Sequence, residues 1–204
     1  MRKTKVAVFV SGNGTNLQAL INAVGKGIIK SGEIALVIAD NEEAYAIDRA
    51  KCADIKTEIV VKKKCKSQKD FENKIIALLE QNMIDMIVLA GFMSILSGDF
   101  TAKYFKRIIN IHPSLIPSFC GKGFYGIKVH QAALEYGVKV TGATVHFVNE
   151  IPDGGEIIIQ KAVNVLKNDT PETLQRRVME EAEWIILPIA CEEICKKIME
   201  EKSE

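Results

Sequence analysis

Long apolar runs are missing from this 204-residue chain; none approaches the ~18 residues needed to cross a bilayer. After the basic start MRKTK the apolar stretch VAVFV is five residues long. That is too short for the core of a secretory signal and suits a buried first strand. An excess of either charge is missing too. Lys and Arg total 27 against 26 Asp and Glu, and a net charge of +1 leaves no general electrostatic footprint for nucleic acid or an anionic membrane. VKKKCK at 61–66 is the one basic run, and it reads as a solvated loop. Histidine is scarce, with three residues, and the five cysteines at 52, 65, 120, 191 and 195 contain no C-x-x-C pair. No structural metal is expected, and the cysteines are expected as reduced thiols in a cytoplasmic protein. Repeats, low-complexity tracts and linkers are absent as well, so residues 1–204 are expected to form one domain.

What the chain does contain is alternation. KVAVFV (5–10), EIALVIAD (33–40), KTEIVV (56–61), IDMIVLAG (84–91) and RIINIH (107–112) have the β-branched, apolar character of buried strands. Between them lie helical patterns. LQALINAV (17–24) sets Leu17, Leu20, Ile21 and Val24 on one face, and NEEAYAIDRAKCAD (41–54) follows with Asn41 or the nearby acids as a cap. SQKDFENKIIALLEQN (67–82) is amphipathic, and a short helix is expected after residue 91. This order predicts an α/β fold with an open, mostly parallel, doubly wound, Rossmann-like sheet and flanking helices. Past residue 112 the pattern changes to a long Gly/Pro-rich loop, PSLIPSFCGKGFYG. Then come a helix (129–137), a strand pair (141–149 and 156–166) joined through EIPDGG, and a closing helix over 171–200. Thr170 is the expected cap of that helix, with Pro171 at its first position.

Ligands of such sheets gather beyond the carboxyl ends of the strands, and four segments fall there. SGNGTN, Ser11–Asn16, follows the first strand. It is neither G-x-G-x-x-G nor a P-loop, and it suits a monophosphate at a helix N-terminus or a structural tight turn. Asn110 and His112 are two apart on a strand and so share a face. An amide donor beside an imidazole suits a developing oxyanion and proton transfer, although the pair could simply satisfy backbone groups at a strand end. In DGG, Asp153 could pair with His112 and favour its cation; alone, Asp-Gly-Gly is a turn signal. Glu183 sits beside an apolar stretch in the final helix, where an acid faces either solvent or a cleft. Thr144 and His146 alternate on a nearby strand, with His146 read as structural, and His130 is read as solvated or packing.

Taken together and in order, FVSGNGTNLQAL, VLAGFMSIL, INIHPSLIPSF, GATVHFVNEIPDGGEII and the late EEAEW segment resemble the phosphoribosylglycinamide formyltransferases over nearly the whole chain. These are folate-dependent enzymes of purine synthesis. The resemblance implies formyl transfer from 10-formyltetrahydrofolate to glycinamide ribonucleotide, without a metal. It implies Asn110, His112 and Asp153 as the catalytic trio, and Gly14, Thr15, Asn16 and Glu183 as contacts to the ribonucleotide. For the folate it implies walls at Met93, Ser94, Ile95 and Leu96 and at Asn149, Glu150, Ile151, Pro152 and Asp153, with Asn110 and Gln68 alongside. Residues 1–112 would form the nucleotide-substrate half and 113–204 the catalytic-loop and folate half. Two departures stand out, since an Arg of some members is Ser94 here and another falls at Gln68. CGKGFYG is also longer than the matching loop in some members.

Formyltetrahydrofolate deformylases share the catalytic segment but carry an N-terminal regulatory domain, which is not expected here ahead of a first strand at residue 5. Methionyl-tRNA formyltransferases carry a C-terminal RNA-binding domain, which is not expected here after the final helix. A non-catalytic phosphate-binding module would explain SGNGTN and leave Asn110, His112 and Asp153 without purpose. The expected partners are small-molecule substrates, with no nucleic acid and no membrane, for a monomer or weak homodimer.

Overall fold

A computed structural model describes residues 2–202. Seven strands form one sheet in the order β3-β2-β1-β4-β5-β6-β7. In chain order they are β1 (Thr4–Val10), β2 (Gly32–Ala39), β3 (Thr57–Ile59), β4 (Met86–Leu89), β5 (Ile108–His112), β6 (Val140–Phe147) and β7 (Ile157–Asn164). The first five run parallel, while β6 and β7 are antiparallel to their neighbours. The expected open, mostly parallel sheet is therefore found, with the late strand pair as a hairpin on one edge. Successive strands step outward through β2 and β3 and then return to the other side of β1. The topological switch point lies between β1 and β4, where such sheets bind ligands.

Strand alternation explains why two helical layers are needed. Val6, Val8 and Val10 of β1 enter one core, and Ala7 and Phe9 enter the other. The first core is covered by α1 (Thr15–Gly25), α2 (Ala46–Cys52), α5 (Ile127–Tyr136), α6 (Pro171–Val178) and α7 (Trp184–Glu201), through residues such as Leu17, Leu20, Ala50, Ala133, Leu174 and Leu187. The second is covered by α3 (Gln68–Gln81) and α4 (Gly98–Lys103) through Phe71, Ile75, Leu79 and Phe100. Each of those four side chains contributes about 1.5–3 kcal/mol by leaving water. Phe71→Ala would open a cavity costing about 3–5 kcal/mol.

Several boundaries move for identifiable reasons. Ser67 and Ser97 accept the amides of Asp70 and Phe100 and start α3 and α4. Asn41 does not cap α2. Its carbonyl oxygen accepts from the amide of Glu43 and its side-chain nitrogen donates to the Ser11 carbonyl, so residues 41–44 form a turn and the helix begins at Ala46. β3 shrinks to three residues at the sheet edge. The closing segment starts as expected, with Thr170 and Thr173 capping each other's backbone amides and Pro171 in the first turn. It is not one uniform helix: a π-helical turn, Met179–Glu183, separates α6 from α7. No helix among the described residues is long and apolar enough to cross a membrane.

Candidate active site

The last residues of β5 carry Asn110 and His112, and the antiparallel register sets them opposite His146 and Thr144 of β6. Two residues with the same alternation therefore meet two others on one face of the sheet. The side-chain nitrogen of Asn110 donates to Nε2 of His146 at 3.1 Å, and the proton on Nδ1 of His146 goes to the carbonyl of Phe147 at 2.8 Å. Asp153 reaches in from the β6–β7 turn at φ 56°. Its oxygens lie 3.4 Å from Nδ1 of His112 and 3.6 Å from Nε2 of His146, so one carboxylate serves both rings. The residues expected at 110, 112 and 153 converge, and His146, expected to be structural, lies beside Asn110 and Asp153. The signal for it was the matching Thr-x-His on the pairing strand.

The loop after His112 is folded over the site. The Phe119 carbonyl accepts from Nε2 of His112 at 2.9 Å, and the Gly121 amide donates to Asp153 at 2.8 Å. Thr144 is the hub of this loop. Its hydroxyl donates to the Ser114 carbonyl at 2.7 Å and accepts from the Ile116 amide and the Gln160 side chain. Ser114 in turn donates to the Ser118 carbonyl at 2.6 Å. A motif reading does not single out Ser114 and Gln160, and it finds Thr144 only through its alternation with His146.

Burial and charge oppose each other here. His112 is 4% exposed, and burial pulls its pKa below the ordinary histidine value although Asp153 and the Phe119 carbonyl pull it upward. The expected rise does not occur, because desolvation outweighs the Asp153 charge. Nε2 of the ring meets the Phe119 carbonyl, and Nδ1 faces Asp153. Burial also pushes Asp153 upward, but His146, His112 and the Gly121 amide more than offset it and hold the carboxyl below its ordinary range. His130 is fully buried in α5, and burial holds it at about 4, so it is a neutral packing residue rather than a solvated one.

On one side of this group a cleft of about 130 Å³ is lined by Met93–Leu96 and Asn149–Asp153, with Phe92, Asn110, His146 and Val148. Both segments expected as folate walls face each other across it. Gln68 does not line the cleft. It donates to the Ile95 carbonyl at 3.0 Å and to buried Glu72, which also accepts the amide and hydroxyl of Ser97. Ser94 donates to Asp40 at 2.6 Å. Where some resembling enzymes have arginines, this chain has polar groups that fasten the wall.

The glycine loop lies at the start of α1. Gly14 sits at φ 69°, and an added Cβ would lie 2.6 Å from Cβ of Ala46, so only glycine fits this turn. Thr15 donates to the Met179 sulfur at 3.8 Å, and Asn16 donates to Glu183 at 2.6 Å. The π turn brings both Met179 and Glu183 onto the loop. Burial pushes the Glu183 carboxyl up to about 7, with the Asn16 amide pulling the other way. Glu183 is thus a buried acid and not a solvent-facing one, and the Oδ1 atom of Asn16 is buried without a partner. A larger groove of about 500 Å³ runs between α1 and α7, past Ala19, Ile28, Trp184, Ile185 and Ile189, and contains none of the trio. Among the described residues no cluster of His, Cys, Asp and Glu is placed to hold a metal ion.

Known proteins resemble this chain in sequence and fold. A family model described as formyl transferase matches residues 4–190. The trifunctional purine biosynthetic protein adenosine-3 of Gallus gallus is 46% identical over 188 residues, which cover 92% of this chain and 18% of that protein. The chain thus spans under a fifth of the length of such trifunctional relatives. The phosphoribosylglycinamide formyltransferase of Haemophilus influenzae is 40% identical over 185 residues, 91% of this chain and 84% of its own length. The crystal structure of glycinamide ribonucleotide transformylase 1 from Symbiobacterium toebii superposes with a TM-score of 0.89 at 38% identity, covering 96% of this chain and 89% of that one. A core built on the same sheet, matched across nearly all of its length, makes this chain a member of the formyl transferase family.

Proposed function

We propose that the chain transfers the formyl group of 10-formyltetrahydrofolate to the amine of glycinamide ribonucleotide. The products are N-formylglycinamide ribonucleotide and tetrahydrofolate, a step of de novo purine synthesis leading to IMP. The observation that carries this reading is the convergence of Asn110, His146 and Asp153 on the cleft at 93–96 and 149–153, with His112 beside Asp153. The cleft at 93–96 and 149–153 has apolar walls for a flat folate head and a polar floor for its formyl group. The glycine loop with Asn16 and Glu183 suits a phosphate and the hydroxyls or amine attached to it. In this reading each substrate is held by both halves of the chain. Glu183 joins the glycine loop, and Met93–Leu96 faces Asn149–Asp153.

The mechanism follows from the protonation states. Attack of the amine on the formyl carbon forms the new C–N bond and moves the carbonyl electron pair onto oxygen. Asn110 spends one side-chain N–H on His146 and has a second for that oxyanion. The amine, positively charged after attack, gives up a proton. Neutral His112 accepts it, and Asp153 stabilises the resulting imidazolium. Return of a proton to the folate nitrogen as its C–N bond breaks completes the balance. We further propose a monomer or weak homodimer acting on small molecules in the cytoplasm, the five free thiols supporting that compartment.

Absorbance of the folate product, followed with and without glycinamide ribonucleotide, tests the proposal. Product that requires the ribonucleotide is expected. Product formed without it would indicate deformylation, and none under either condition would indicate a binding module.

A further inference from the structure

The wall Met93–Leu96 is held in an unusual way. Among the described residues no backbone–backbone hydrogen bond outside helices and strands involves residues 92–96, and none of the five lies in a helix or strand. The wall is held by side chains from elements far away in sequence. On the α3 side these are Gln68, through the Ile95 carbonyl, and Glu72, through Ser97. On the sheet side they are Asp40, through the Ser94 hydroxyl, and Ser11, whose Oγ accepts the Met93 amide at 2.7 Å.

Ser11 differs from the other three because it is also the first residue of the glycine loop. That loop is pinned on its far side by α2. The Gly12 carbonyl accepts the Ala46 amide at 3.1 Å, and the Asn13 carbonyl accepts Nε of Arg49 at 2.8 Å. The Ser11 carbonyl accepts from Asn41 at 3.3 Å. Ser11 therefore bonds directly to the wall of one subsite while its backbone opens the other. A ligand held at Gly12–Thr15 would act through this backbone on the Ser11 side chain that accepts the Met93 amide.

We propose that Ser11 is a positioning residue that couples the two subsites, so that occupation of the glycine loop tightens the Met93–Leu96 wall. This rests on the two-substrate reading above. Coupling of this kind is reciprocal, with each ligand raising the affinity of the other by the same factor. Loss of one hydrogen bond accounts for a factor of about 5–10.

The test is calorimetric titration of glycinamide ribonucleotide and of 5,8-dideazafolate, which carries no formyl group, each alone and each in the presence of the other. In the native chain each ligand is expected to improve the other's affinity about fivefold or more. In Ser11→Ala the coupling should fall below twofold, while affinity for the ribonucleotide alone changes by less than about threefold. In turnover, KM for the formyl donor should rise about 5–10-fold with kcat within about threefold. Ser11→Thr, which keeps the hydroxyl, should restore both, and melting curves of the two variants show that each is folded. Undiminished coupling in Ser11→Ala, or independent binding in the native chain, overturns the inference and leaves the transferase reading standing. Failure of the native chain to bind either ligand overturns the transferase reading itself.

Discussion

The side-chain nitrogen of Asn16 donates to Glu183 across 2.6 Å and 167 residues of sequence. The acid is buried, and its pKa rises from the ordinary 4.5 to about 7. The folded state therefore binds more protons than the unfolded chain between about pH 4.5 and 7. Stability falls as pH rises through that window and levels off above it. The full effect is on the order of 3 kcal/mol. Glu183→Gln removes the ionisation, so melting temperatures measured from pH 5 to 7.5 should fall for the native chain and stay flat for the variant. The same substitution should raise KM for the ribonucleotide more than it lowers kcat.

His112 is held below its ordinary pKa by burial. A neutral ring that accepts the amine proton gives activity that is lost as pH falls through a pKa below 6.5 and is level around neutrality. Asp153 supports the charged ring, so Asp153→Asn should move this acid limb to still lower pH while reducing kcat. NMR titration of the His112 ring against the pH–rate profile checks both. His112→Ala and Asn110→Ala should each lower kcat by roughly 10²–10³ without unfolding the chain. A His112→Ala variant with near-normal formyl transfer would sink the assignment.

Thr144→Val keeps the side-chain shape and removes the hub hydroxyl. The Ser114 carbonyl loses a donor, and the Ile116 amide and Gln160 lose an acceptor. Stability should drop by about 1–3 kcal/mol in urea titration. Release of the Phe119 carbonyl from His112 should cost roughly tenfold to a hundredfold in kcat. Faster amide exchange confined to 114–121 would distinguish loop release from general loosening.

Gly155 packs so closely that an added Cβ would press into the Phe147 carbonyl. That carbonyl fixes the tautomer of His146. Gly155→Ala should therefore destabilise by about 1–3 kcal/mol and also disturb the ring-nitrogen shifts of His146. A purely local strain would leave those shifts unchanged.

The sequence was legible wherever chemistry is local. β-branched runs predicted all seven strands, because pleat and side-chain sterics act between neighbours. Two-residue alternation set Asn110 and His112 on one face, and Ser-Gly-Asn-Gly marked the loop that only glycine at position 14 permits. Four features were decided by tertiary structure alone. The β5–β6 register set His146 against Asn110, and the π turn swung Glu183 inward. The Thr144 hub folded the loop over His112, and packing density lowered the His112 pKa despite Asp153. Each depends on contacts between residues tens to hundreds of positions apart, and desolvation is a property of everything packed around a group. Local pattern could name the residues of this site, but only the packed fold could assign their protonation and their partners.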